Sequence, residues 1–280
     1  RAPNGFDLQR QGFKPMPLYG KCDEPVEGML DHWTVERALG RMDELCAGGD
    51  PWFLGVGLLA PHDPFVIPEP YASMYSPDDV PLPTSFNDPM ADKPALYRRQ
   101  RDVVYADMTA RHYREMIACY WGFCAFFDDL VGKLLARLDE RGAAGDTLAI
   151  VTSDHGESMG AHGLVYKSLS MFDESIRIPM IARWPGRIEP GRATGAPVML
   201  HDIGPTVLEA AGAEPLAGVH GESLVGTMTG SGHDLERAGA LVESEGAHVR
   251  ITQRTLVRGP FKYVFNAFDY DELYNLEEDP

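Results

Sequence analysis

Residues 146–186 read DTLAIVTSDHGESMGAHGLVYKSLSMFDESIRIPMIARWPG, and this stretch decides the fold class. DTLAIVT is a strand running into the polar turn Ser-Asp-His-Gly, and RIPMIARW (177–184) is a second strand. Helical patterns lie on both sides. Upstream, HYREMIACYWGFCAFFDDLVGKLLARLDERG places apolar residues at 116, 120, 123, 127, 131, 134 and 138, and Gly142 ends the stripe. Downstream, DIGPTVLEAAG (202–212) reads as a short helix closed by Gly212. Strands alternating with helices predict an α/β domain with a mainly parallel sheet.

Working outward, HWTVERALGRMDELC (32–46) carries Trp33, Val35, Leu39, Met42 and Leu45 at near-helical spacing. PWFLGVGLLA (51–60) is continuously apolar between Pro51 and Pro61 and reads as a buried strand. Residues 61–94 hold nine prolines and are expected to be irregular surface chain. The basic run Arg98-Arg99-Gln100-Arg101 reads as a solvated loop, and residues 1–30 have loop composition. After about residue 228, ALVES, RTLVRG and FKYVFNAF read as short strands. The expected organisation is a core over 1–228 and a small sheet-rich carboxyl-terminal subdomain over 229–280.

The 280 residues are long enough to bury a core without a staple. With 25 basic and 42 acidic side chains the net charge is −17, which argues against nucleic acid or an anionic membrane as partner. No apolar run approaches the ~20 residues that cross a bilayer, so no membrane span is expected. Cys22, Cys46, Cys119 and Cys124 form no metal-binding or disulfide framework, and Cys119 and Cys124 fall on different sides of a helix. A Cys22–Cys46 bridge stays open. Arg1 is not an initiator Met, so the start reads as the inside of a longer chain.

Open α/β sheets bind ligands at the carboxyl ends of their strands. His62 follows one apolar run, and Asp154, His155, Glu157, His162 and Lys167 follow another within 14 residues. A carboxylate and an imidazole at one strand end can share a divalent cation, but two ligands do not close a site. Such a mixed pair suits manganese, zinc or iron, with calcium also open.

Taken together, TSDHGESMGAHGLVYKSLSMFDESIRIPMIARWPG (152–186), PWFLGVGLLAPHDPFVIPEPYASMY (51–75), HDIGPTVLEAAG (201–212) and FKYVFNAFDYDELYNLEEDP (261–280) resemble the sulfatase family of the alkaline-phosphatase-like superfamily. The four segments occur in the family's order. The resemblance implies an α/β fold with a mainly parallel sheet sandwiched by helices, and a metal-dependent sulfuric ester hydrolase. It implies that Asp154 and His155 are metal ligands, with calcium the family's usual ion and manganese, magnesium or zinc as alternatives. It makes Lys167 and His62 the catalytic groups that contact the ester and its leaving oxygen, with His162 a further substrate contact. His155, where sulfatases often carry Asn, also resembles phosphonate monoester and phosphodiester hydrolases.

Family members attack with a formylglycine made in a Cys/Ser-x-Pro-x-Arg motif, which does not occur in this sequence. The resemblance therefore places formylglycine upstream of Arg1, and makes the partners a small sulfated ester and the amino-terminal portion of the same protein. A catalytically inactive, ligand-binding relative is the third reading. Most relatives are exported, which favours a periplasmic or secreted location.

Overall fold

A computed structural model describes residues 5–8, 15–232, 235, 237–246 and 250–278. The chain divides into two units. The first comprises Arg1–Asp92, Leu96–Ala143 and Glu157–Ser168; the second comprises Lys93–Ala95, Ala144–Gly156 and Leu169–Pro280.

The first unit is built around a long helix. Strand β1 (Phe6–Leu8) pairs antiparallel with β2 (Met16–Lys21), and β2 pairs parallel with β3 (Phe65–Ile67). Strands β1 and β2 lie where loop composition was read and β3 in the proline-rich stretch expected to be irregular, because β1 and β3 have three residues each and β2 carries the turn formers Pro17 and Gly20. Helix α1 (Leu30–Gly48) covers the predicted helix and ends at Gly49, whose φ of +75° suits a residue without Cβ. Val35, Leu39 and Met42 are buried, while Trp33 is exposed with the Arg37 guanidinium over its ring.

Helix α2 (Ala95–Val104) takes in the basic run that read as a loop. Within it, Arg101 extends its Nη1 to the carbonyl of Asp88 at 2.7 Å. Helix α3 (Ala110–Glu140) starts at Thr109, whose hydroxyl accepts the His112 N–H. Met116, Phe123 and Leu138 of the expected stripe are buried, and the inner face continues through Phe126 and Leu130 in place of 127 and 131. That face packs on α1, β2 and β3, burying Leu18, Val35, Phe65 and Ile67. Gly122 sits where a Cβ would fall 2.3 Å from the carbonyl oxygen of Tyr71, so the close approach requires glycine.

PWFLGVGLLA is not a buried strand. Exposure alternates along it with period two, and Phe53 is 74% exposed. Among the described residues, no backbone hydrogen bond engages residues 52–58. A strand needs a neighbour to satisfy its N–H and C=O groups, and this stretch has none among the described residues.

In the second unit, β4 (Ala149–Thr152) pairs antiparallel with β5 (Met180–Arg183). Between them lies α4 (Asp173–Ile176), and beyond them α5 (Ile203–Ala210) and α6 (Val225–Thr229). The three strands read after residue 228 are β6 (Ala240–Ser244), β7 (Gln253–Arg258) and β8 (Phe261–Asn266), and a fourth, β9 (Glu272–Asn275), joins them in an antiparallel sheet. Among the described pairings, β2 with β3 is the parallel one. All four cysteines are free thiols, so the Cys22–Cys46 bridge does not form.

Candidate functional site

Asp154 and His155 leave β4 in the second unit. The turn is shaped by backbone: Ser153 Oγ donates to the His155 carbonyl at 2.7 Å, and Gly156 N donates to Ser175 O at 2.8 Å. A Cβ at Gly156 would lie 1.9 Å from the Glu174 carbonyl oxygen, so this turn accepts only glycine. His155 Nδ1 lies 2.9 Å from the Gly156 carbonyl. A carbonyl can only accept, so Nδ1 carries a proton, and Nε2 lies 3.7 Å from Asp154 Oδ2. Asp154 is 85% exposed at its side chain. A carboxylate oxygen beside a backbone-oriented imidazole offers two of the donor types that divalent cations take. Among the described residues, no cluster of three or more such ligands occurs, so the pair fits part of a site and not a closed one.

His62, His162 and Lys167 belong to the first unit. His62 Nδ1 lies 2.8 Å from the Asp63 carbonyl and 3.2 Å from Asp63 Oδ1. Nδ1 is therefore a donor, which makes Nε2 the atom for proton exchange with a ligand. His162 Nδ1 lies 2.7 Å from Asp88 Oδ2, fixing that ring as well.

Lys167 follows a tightly tethered loop. Ser158 donates to the Tyr166 carbonyl from both N (3.0 Å) and Oγ (2.7 Å). Tyr113 OH donates to Gly163 O at 2.6 Å, and Tyr105 OH to Val165 O at 2.9 Å. Leu164 and Val165 are buried beneath it. Glu157 opens this loop, and burial, aided by the charge of Asp63, pushes its carboxyl up to about 8. Its Oε1 is buried without a hydrogen-bond partner among the described residues. The supports Asp88, Tyr105, Tyr113 and Ser158 were not singled out in the sequence, since they meet the loop from distant positions without a local motif.

Residues 4–213 match the family model Sulfatase, and residues 160–280 match N-sulphoglucosamine sulphohydrolase, C-terminal. The chain is 36% identical over 256 residues to the multifunctional alkaline phosphatase superfamily protein PehA of Trinickia caryophylli, covering 80% of this chain and 48% of the relative. It is 30% identical to the choline-sulfatase of Rhizobium meliloti (strain 1021), covering 82% and 45%. Among solved structures, the phosphonate monoester hydrolase of Silicibacter pomeroyi superposes with a TM-score of 0.81 at 27% identity, covering 94% of this chain and 57% of that one. This chain thus spans about half the length of the curated relatives it matches. The fold is alkaline-phosphatase-like. With a family model matched across most of its length, the chain belongs to the sulfatase family.

Proposed function

We propose that this chain is part of a sulfuric ester hydrolase that cleaves a small sulfate monoester to alcohol and sulfate. In this reading the amino-terminal portion of the same protein supplies the formylglycine nucleophile and the remaining metal ligands. The observation that carries it is backbone strain. Among the described residues five non-glycine residues have positive φ, and four of them, Met159, His162, Tyr166 and Ser168, cluster around His162 and Lys167. Each such conformation costs about 1–3 kcal/mol and persists where the surroundings enforce it, most often at functional sites. Here the tyrosine and serine tethers enforce it, and two of the four residues flank Lys167 directly.

The chemistry follows from charge. Breaking a sulfate ester builds negative charge on the bridging oxygen. The Lys167 ammonium offsets that charge, and protonated His62 delivers a proton from Nε2 to the departing alcohol. His162, its ring set by Asp88, contributes a further substrate contact. Asp154 and His155 would hold a divalent cation, calcium by family and manganese, magnesium or zinc as alternatives, whose charge polarises the ester oxygens.

In the full-length protein, Lys167→Ala should lower turnover about 10- to 150-fold, the worth of one charge-assisted hydrogen bond. His62→Ala should lower it about 10²- to 10⁴-fold for poor leaving groups. Near-parental turnover in both, with unchanged melting temperature, overturns the assignment. The likeness to phosphonate monoester hydrolases favours a second reading, a phosphonate monoester or phosphodiester hydrolase on the same scaffold. Matched aryl sulfate and aryl phosphonate esters decide between them by relative kcat/KM. Ligand binding without turnover of either would make the protein an inactive relative.

A further inference from the structure

Asp31 lies in the first turn of α1 and is buried. Its two oxygens accept consecutive backbone N–H groups, Leu59 N on Oδ1 and Ala60 N on Oδ2, each at 2.8 Å. The peptide that joins Leu59 to Ala60 is engaged at its other end too, since its carbonyl accepts the His62 N–H at 2.7 Å. One peptide group is thus held by Asp31 through its N–H and by His62 through its C=O. From there the Asp63 carbonyl and carboxylate fix the imidazole at Nδ1.

This support is needed because the apolar stretch leading into the turn has no ladder of its own. Residues 52–58 make no backbone hydrogen bonds among the described residues, so Leu59 N and Ala60 N are the first anchored donors before His62. We propose that Asp31 is a positioning residue for His62, holding the turn that aims Nε2 at the leaving group. The inference rests on the reading of His62 as the leaving-group acid. A displacement of about 1 Å at a reacting group can lower a rate about 10²-fold.

The test uses the full-length protein and two esters of whichever class it hydrolyses, one with a nitrophenol leaving group and one with an alkyl alcohol. Only the alkyl ester depends strongly on proton delivery. The readout is the ratio of the two kcat/KM values within one sample, which does not change with the fraction of folded protein. His62→Ala should depress the alkyl ester much more than the nitrophenyl ester. Asp31→Ala should shift the ratio in the same direction, by about 10-fold or more, and Asp31→Asn, which keeps one acceptor oxygen, should fall between it and the parent. If Asp31→Ala does not fold, Asp31→Asn carries the test alone. A ratio changed by His62→Ala and unchanged by the Asp31 variants overturns the positioning role and leaves His62 standing. A ratio unchanged by His62→Ala, or no turnover of either ester class, overturns both.

Discussion

Asp31 and Asp202 are both buried carboxylates, and they are satisfied by different partners. Asp31 serves backbone N–H groups alone in the interactions described above. Asp202 accepts Met199 N at 2.8 Å and Glu222 N at 2.9 Å, and Arg237 grips both its oxygens at 2.7 Å. Burial pushes the Asp202 carboxyl up, but Arg237 and the two N–H groups outweigh it and hold it below the usual carboxylate range. A carboxyl lowered in the folded state stabilises folding above its unfolded pKa of about 4 and loses that contribution as pH falls through the folded value. Asp202→Asn should therefore flatten part of the acid limb of a stability–pH curve measured by urea unfolding between pH 2 and 6. Asp202→Ala leaves Arg237 its contacts with Glu222 Oε1 at 3.3 Å and the Pro197 carbonyl at 3.2 Å but removes the acceptor of Met199 N and Glu222 N, and should cost about 1–3 kcal/mol at pH 7. An acid limb identical to the parent's would refute this account.

At the scale of elements, α3 shows how a local preference yields to packing. Glycine inside a helix costs about 1 kcal/mol relative to alanine, yet Gly122 lies on the inner face against the Tyr71 carbonyl. Gly122→Ala should lower the melting temperature despite its better helix propensity, because the methyl group has no room; a rise would show that the Tyr71 turn yields easily. The long elements were legible in the sequence, since α1 and α3 run over many turns and repeat their pattern. Strands β4 to β8 were legible from short apolar runs between turn residues. Strands β1 and β2 were not, since β1 has only three residues and β2 carries the turn formers Pro17 and Gly20. Helix α2 was missed because its basic residues read as solvated chain, whereas Arg101 reaches back to the Asp88 carbonyl. The candidate site divides the same way. Chain-adjacent chemistry, Asp154-His155 and the segment up to Lys167, could be read directly. The groups that hold it, Asp31, Asp88, Tyr105 and Tyr113, arrive from distant positions and carry no signature of their own.

For the whole molecule, the stretch 52–58 sets the behaviour of this chain in isolation. Its amides have no hydrogen-bonded partner among the described residues, so they should exchange with solvent far faster than those of α3. Hydrogen-exchange mass spectrometry on the chain checks this, and slow exchange across 52–58 would mean that the stretch finds a partner strand. Exposed apolar side chains such as Phe53 and Leu59 on such a ribbon are an association hazard, which the −17 net charge opposes through mutual repulsion.

The free thiols have a further consequence. Burial pushes Cys119 and Cys124 up to about 11 and also raises Cys22, so at neutral pH these sulfurs are protonated and poor nucleophiles. With its four cysteines free, the unfolding midpoint of this chain should be the same with or without a reducing agent.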